Sequence, residues 1–340
     1  MNILITGGAG FIGSNLFRYL SDHFPNYTFD ILDLLTYAGD INNLNTPYSS
    51  RLTFWHGDIK NSSLIRKLVS NADIIINLAA ETHVTRSIYD DKVFFETNVI
   101  GTDILVNAIL QNGTKLKKLI HVSTSEVYGT TNYEYISENH ILEPRNPYAA
   151  SKVGADRLIY SHIITHNIPA IIVRPFNQFG LRQHPEKVIP RFITSALLEE
   201  PMTIYGDGSV SRDYMFVDNL SYALEKIILA ENNKVVGEVF NIGSGTCISI
   251  LSLATFIKNY ITLKTNKKVS IIFIKDRPGE IKKYMADSSK IKKLLGWDIK
   301  ISLEDGLKST INWYIENFNW WKSKLSMRYT PAETANRKLQ

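Results

Sequence analysis

Cysteine is almost absent. Cys247 stands alone in 340 residues, which excludes an intrachain disulfide framework and a cysteine-rich metal site and fits a reducing cytoplasm. No metal site is expected. No apolar run approaches the length of a bilayer span, and Met1-Asn2-Ile3-Leu4-Ile5 leads straight into a glycine turn, unlike a secretory signal. Internal repeats and low-complexity tracts are missing. Charge of one sign is not concentrated either. The net charge of +5 is spread over pairs such as Lys117-Lys118, Lys267-Lys268, Lys282-Lys283 and Lys292-Lys293, with no basic run interleaved with aromatics. That pattern argues against nucleic acid as a partner. The expectation is a cytoplasmic protein with an anionic small ligand and neither a nucleic-acid nor a membrane partner.

What is present is ordinary globular composition, 44% hydrophobic and 21% charged, in a chain long enough for one large domain and a smaller lobe. Ile3-Leu4-Ile5 reads as a buried strand that breaks into Thr6-Gly7-Gly8-Ala9-Gly10-Phe11-Ile12-Gly13, after which Ser14-Asn15-Leu16 opens an amphipathic helix. Glycine at 7, 10 and 13 lets the backbone turn, approach a pyrophosphate and pack helix on strand, with the phosphate on the helix N-terminus. A strand before and a helix after make this a dinucleotide site rather than a structural turn. The fold class implied is α/β, a Rossmann-type doubly wound parallel sheet with a smaller C-terminal substrate-binding lobe.

A second strand, Thr28 to Leu32, ends at Asp33, placed to bond the ribose hydroxyls and to repel a 2′-phosphate, so NAD is favoured over NADP. Asp33 also reads as a helix cap or turn former. A third candidate, Thr53 to His56, ends in Gly57-Asp58-Ile59, where Asp58 is within reach of an adenine. The fourth, Ile74 to Leu78, ends in Ala79-Ala80-Glu81-Thr82-His83-Val84, small residues under a cofactor. His83 reads equally as a substrate ligand and as a satisfied loop side chain.

The chemistry gathers between Ser123 and Lys152. Leu119-Ile120-His121-Val122 is a short buried strand that delivers Thr124, Ser125 and Glu126 at its C-terminal edge. Pro147 starts a helix whose i to i+4 spacing puts Tyr148 and Lys152 on one face. A phenol beside an ammonium is a tuned base, with its pKa expected to fall towards neutrality. The alternative is an aromatic packed on a lysine stem. Helical apolar spacing near 94–110 and 148–165 marks two helices as a candidate homodimer interface, ordinary core packing being the alternative.

Ile171-Ile172-Val173 is a further strand whose tip, Arg174 to Gly180 and including Asn177, should face the site. The NAD-binding domain is placed at 1–180, with some later segments returning to it. From 185 to 297 the elements read as short and glycine-punctuated, so 181–325 is assigned mainly to the substrate lobe and 326–340 to an irregular tail. Lys187, Arg212 and Arg277 are cations in or beside turns, suited to a diphosphate although each singly reads as a surface charge.

Taken together, these words resemble the extended short-chain dehydrogenase/reductase superfamily, and within it the nucleotide-sugar 4,6-dehydratases, over about residues 1 to 320. The glycine motif, Asp58, Ala79-Ala80, Asn98, Thr124 and Tyr148 with Lys152 carry the first level. Leu35-Thr36-Tyr37-Ala38-Gly39, Ala79 to Val84 with Arg86-Ser87-Ile88, Pro185-Glu186-Lys187-Val188-Ile189-Pro190, Ile204-Tyr205-Gly206, Arg212-Asp213 and Asp276-Arg277-Pro278-Gly279 look most like the dTDP-glucose 4,6-dehydratase family. That family ordinarily reads Thr-Asp-Glu where this chain has Thr124-Ser125-Glu126, the aspartate being its acid; Thr-Ser-Glu resembles GDP-mannose and some UDP-N-acetylglucosamine 4,6-dehydratases and UDP-glucuronate decarboxylases. Thr85 likewise replaces a usual aspartate.

The resemblance implies NAD as cofactor, bound by Gly7, Gly10, Phe11, Ile12, Gly13, Asp33, Asp58, Ile59, Ala79, Ala80, Asn98, Tyr148 and Lys152. It implies a nucleotide-diphosphate sugar held by Glu81, His83, Thr124, Asn177, Lys187, Val188, Tyr205, Arg212 and Arg277. Tyr148, with Lys152 and Thr124, would oxidise C4; Glu126 would take the C5 proton; water would leave C6 with a proton from Glu126 or through Ser125. A 4-epimerase, a UDP-glucuronate decarboxylase and an inactive NAD-binding scaffold are the rivals, the last opposed by the intact Tyr148-Lys152 pair.

Overall fold

Short apolar runs with buried side chains on both faces form the spine of the fold. The computed structural model describes residues 1–44, 50–130, 133–275 and 284–328. Its central sheet comprises β1 (Asn2–Thr6), β2 (Thr28–Asp33), β3 (Leu52–His56), β4 (Ile74–Asn77), β5 (Lys118–Val122), β6 (Ala170–Pro175) and β7 (Val239–Ile242). The strands lie in the order β3-β2-β1-β4-β5-β6-β7, and every pair is parallel. The chain winds outwards one way from β1 and the other way from β4. The crevice beyond the C-terminal ends of those two strands is therefore the switch point where such sheets bind ligands.

Alternation along each strand feeds two cores. Ile3, Ile5, Ile74, Ile76, Ile120, Ile171 and Val173 face the helices Phe11–His23 and Val217–Leu229. Leu4, Ile75, Leu119, Ala170 and Ile172 face the opposite side, under Ser62–Asn71, Gly101–Asn112 and Pro147–His166. Trimming one such residue, Ile76→Ala for example, costs about 2–5 kcal/mol through lost transfer energy and the cavity left behind.

The later chain is more interleaved than short punctuated elements would imply. Val217–Leu229 is a 13-residue helix on the central sheet, β7 extends that sheet, and Trp297 is buried in the same core. The remaining elements, including the 16-residue helix Ile250–Thr265 and Leu303–Glu316, enclose a second core around Phe192, Ile204, Leu253, Ile257, Ile311 and Trp321. Length is the physical reason: both helices carry enough apolar residues on one stripe to cover a core, glycine turns notwithstanding.

One helix also departs from the expectation about apolar runs. Lys92–Asn112, 21 residues long, is apolar enough by length and composition to cross a bilayer, with a window mean hydropathy of 1.4 and 44% of that window buried inside the fold. Its Phe94, Asn98, Thr102, Leu105 and Val106 are buried. It runs beside Pro147–His166, where a Cβ on Gly154 would stand 3.0 Å from Val99. A π-turn at Glu96–Ile100 interrupts it.

Candidate active site

β1 ends in the glycine turn because side chains have no room there. Gly7 has φ +69, and a Cβ on it would stand 2.7 Å from the main-chain nitrogen of Ala79; a Cβ on Gly13 would stand 2.4 Å from the Gly7 carbonyl. The strand, turn and helix are thereby pressed together, leaving amide groups of the helix start open to a pyrophosphate. Asp33 closes this cradle: its carboxylate accepts N–H bonds from Ala9 at 2.9 Å and Leu35 at 2.8 Å. Burial nonetheless raises its pKa, against the pull of those main-chain donors.

The cradle is one end of a cavity of about 410 Å³. Gly7, Gly10, Phe11, Ile12, Gly13, Asp33, Asp58, Ile59, Ala79 and Ala80 line that end, and Glu81, Thr124, Ser125, Glu126, Tyr148, Asn177, Lys187 and Val188 line the rest. A cofactor of dinucleotide shape fits the donors present. Among the described residues, Ser123 Oγ, Gln178 Oε1, Gln183 Oε1 and His184 Nε2 are buried without a hydrogen-bond partner, and the residues that carry them are on the same wall. Such groups want a ligand.

The catalytic wall is built by two short elements. Thr124 caps the turn Ser125–Tyr128, its hydroxyl accepting from Glu126 N–H at 3.2 Å. Asn146 caps the helix Pro147–His166 through Ala149 N–H at 2.8 Å, with Pro147 in its first turn. Tyr148 N–H donates to Ser87 Oγ at 3.1 Å, which fixes the first turn from the other side.

The electrostatics correct one expectation. Burial raises the Tyr148 pKa well above its ordinary value; the Thr124 hydroxyl opposes this and Glu126 adds to it. The Lys152 ammonium donates to the Val122 carbonyl at 2.8 Å, and burial of the phenol sets the direction of the shift. Burial pushes Lys152 itself down to about 8, with Asp156 opposing. Glu126 is raised by burial, against Arg212, an Asn146 hydrogen bond and Lys187. A carboxylate whose pKa is raised by burial is a stronger base than a free one and, once protonated, can give the proton back.

Several predicted residues lie off the cavity wall. Asn98 and Lys152 stand behind it. Asn98 accepts from Glu81 N–H at 2.9 Å and donates to Glu81 C=O and Ser151 Oγ, so it shapes the loop under the cofactor. His83 lines no wall: its Nδ1 caps the helix Val84–Tyr89 and its Nε2 lies 3.2 Å from Glu186 Oε2. Tyr205 and Arg212 line a smaller cavity of about 130 Å³ that shares Val188 and Tyr214 with the large one. Arg277 lies outside the described residues.

Other wall residues had no role assigned from sequence. Tyr37 donates to Glu186 at 3.0 Å, contacts Thr82 at 3.2 Å, stacks edge-on with His184 and lies under the Arg86 guanidinium. It thus joins the loop after β2 to the start of the second lobe. The family words Leu35 to Gly39 and Pro185 to Pro190 were the only signal for that contact, because sequence spacing says nothing about loops 149 residues apart. Tyr284, off the wall and behind Ser125, also had no role assigned from sequence.

Residues 4–310 match the GDP-mannose 4,6 dehydratase family. The low-salt glycan biosynthesis protein Agl12 of Haloferax volcanii is 42% identical over 317 residues, 93% of this chain and 99% of that protein. The crystal structure of DesIV, a dTDP-glucose 4,6-dehydratase from Streptomyces venezuelae solved with NAD, superposes with a TM-score of 0.87 at 37% identity, covering 95% of this chain and 99% of that one. UDP-glucuronic acid 4-epimerase from Bacillus cereus, in complex with UDP-glucuronic acid and NAD, superposes with a TM-score of 0.85 at 31% identity, covering 93% and 99%. The chain belongs to the GDP-mannose 4,6 dehydratase family and is an NAD-dependent nucleotide-sugar 4,6-dehydratase of the extended short-chain dehydrogenase/reductase superfamily.

Proposed function

We propose that this site converts an NDP-hexose, dTDP-glucose or a UDP-linked glucose or N-acetylglucosamine, into the NDP-4-keto-6-deoxy sugar, with each step assigned to a named residue. Glu126 carries the reading: it is a carboxylate with a raised pKa on the wall that Thr124 and Tyr148 share. Bound NAD supplies the acceptor for the C4 hydride, its return to C6, and a positive charge that favours the Tyr148 phenolate. Tyr148, with Thr124 at its hydroxyl, takes the proton of the sugar 4-hydroxyl. The ketone acidifies C5, Glu126 removes that proton, and the C6 hydroxyl departs past Ser125. Lys152 acts from behind by holding the helix that carries Tyr148 against Val122.

The substrate's nucleotide end extends towards Lys187 and Arg212, two cations whose charges also act on Glu126. Val188 and Tyr214 lead from there into the smaller cavity with Tyr205, which suits the base. Incubation with dTDP-, UDP- and GDP-linked hexoses tests the reading: a product lighter by one water supports it. An epimer of unchanged mass, or release of carbon dioxide from a uronate, selects a rival.

A homodimer is part of the same proposal. Ile88, Tyr89, Phe95, Ile100, Tyr160 and Ile164 are exposed on or beside the adjoining helices Lys92–Asn112 and Pro147–His166, an apolar area that a second copy would cover. The cytoplasm is its proposed location, on the lone Cys247 and on the nucleotide-sugar substrate.

A further inference from the structure

We infer that Tyr284 is the source of the proton taken by the departing C6 hydroxyl, delivered through Ser125; the inference rests on the dehydratase reading above. The two hydroxyl oxygens lie 3.4 Å apart, a separation of the kind that tightens when a substrate fills the site. Ser125 lines the cavity and Tyr284 does not, so the phenol reaches the substrate only through the serine. Both are nearly inaccessible, at 3% and 2% exposure.

The position of Tyr284 is built into the fold. Its ring packs on Phe176, with centroids 5.5 Å apart, within the cluster of Val127, Ile136 and Ala286. The following residues Met285–Ala286 pair with Tyr135–Ile136, and Ala286 N–H donates to Asp213 at 2.9 Å. Burial and the charge of Glu126 keep the phenol protonated, while the Ser125 hydrogen bond and Arg212 oppose them.

The chemistry explains how a serine can serve where the departing hydroxyl needs an acid. A free phenol is a stronger acid than water by about five to six pK units; burial and Glu126 narrow that margin for Tyr284, whereas an alkyl hydroxyl alone gains almost nothing over the hydroxide it must protonate. As the C6–O bond breaks, its electron pair takes the Ser125 proton and Ser125 takes the Tyr284 proton, so water leaves and a phenolate remains. The carboxylic acid formed on Glu126 by abstraction at C5 returns a proton to that phenolate. Both groups are restored and the departing water has carried off the C5 proton; the proton that C5 regains as hydride returns to C6 is balanced by the one Tyr148 took from the 4-hydroxyl, so no outside reactant is needed.

The test compares Tyr284→Phe in two backgrounds, using whichever sugar nucleotide wild type dehydrates. With Ser125 present, Tyr284→Phe should slow loss of water about 10- to 100-fold and leave substrate-dependent absorbance of reduced cofactor intact. In Ser125→Asp, where the wall has its own acid, Tyr284→Phe should change the rate less than about twofold. An equal loss in both backgrounds would mean a packing role and overturn the relay. So would a wild-type rate for Tyr284→Phe. Should Ser125→Asp be inactive, Ser125→Ala decides: the double variant with Tyr284→Phe should be no slower than the slower single, and multiplied losses would overturn the inference. Wild type that dehydrates no sugar in the panel removes the dehydratase reading itself, a failure visible before any variant is compared.

Discussion

Asp156 grips the guanidinium of Arg174 in two parallel bonds, Nε to Oδ2 at 2.8 Å and Nη2 to Oδ1 at 2.9 Å, one helical turn beyond Lys152. Arg174 also donates to Tyr128 Oη at 2.9 Å, and Tyr128 donates to Asn241 at 2.7 Å. One buried network therefore fixes the helix of Tyr148 and Lys152 to β6, to the turn that carries Glu126, and to β7. Removing one partner leaves the other charge buried and unpaired. Asp156→Ala should accordingly lower stability by about 3–5 kcal/mol, measured by denaturant unfolding.

The same pair makes a statement about acid. Arg174 and Arg157 hold the Asp156 carboxyl down to about 2 against the cost of its burial, below an unfolded value near 3.9. A carboxyl lowered on folding contributes stability that is complete above the unfolded value and is lost as pH falls from about 4 to about 2. Over that interval wild type should lose more stability than Asp156→Asn. Parallel acid melts of the two proteins would refute the assignment.

Lys152 titrates the other way. Its ammonium is held down to about 8 by burial, below the unfolded value near 10.4. Between those limits the unfolded chain binds more protons, so the contribution of Lys152 to stability rises with pH from about 8 to about 10.4. Subtracting the unfolding free energy of Lys152→Met from that of wild type should expose this rise. A flat difference over that range would contradict it.

Asp33 should decide cofactor retention. Purified protein is expected to release NAD on denaturation, identified by mass, and NADP as the main species would contradict the role of the carboxylate. Because Asp33 also accepts from Ala9 and Leu35, Asp33→Ala should loosen the glycine turn as well as remove the proposed ribose contact. It should lower NAD affinity about 10-fold or more, in line with a charged hydrogen bond worth about 1.5–3 kcal/mol.

How much of this was legible in sequence depends on range. Strand identities were, because Ile3-Leu4-Ile5 or Ile74-Ile75-Ile76 leave few alternatives once a turn of small residues closes the run. The cofactor cradle was legible for the same local reason. The direction of the Tyr148 shift was not: i to i+4 spacing predicts the same helix face, but burial of the phenol, a property of the assembled fold, sets the direction. Tyr284 was equally hidden, since 159 residues separate it from Ser125 and nothing in its own neighbourhood signals a hydroxyl contact. His83 was visible as a polar loop residue, but only the fold shows Glu186 at its Nε2.

Glu126 separates the two halves of the reaction. On the proposed mechanism, oxidation at C4 needs Tyr148, Lys152 and the cofactor, whereas loss of water across C5 and C6 needs a base that acts only after the ketone exists. Glu126→Gln keeps the shape and the Asn146 neighbour but cannot accept a proton. It should still develop reduced-cofactor absorbance on adding substrate, because Tyr148 and Thr124 are untouched. Exchange of the C5 hydrogen with solvent deuterium should fall about 10²- to 10⁴-fold, and product with it. Tyr148→Phe should abolish both signals, since without the first proton transfer no ketone forms. The raised pKa of Glu126 adds a pH signature. Burial shifts its ionisation upwards, so the elimination rate should rise with pH through a midpoint above about 4.3, the ordinary value for glutamate, and that limb should vanish in Glu126→Gln. A variant that turned over at the wild-type rate would strip the dehydratase chemistry of its base and move the epimerase reading ahead.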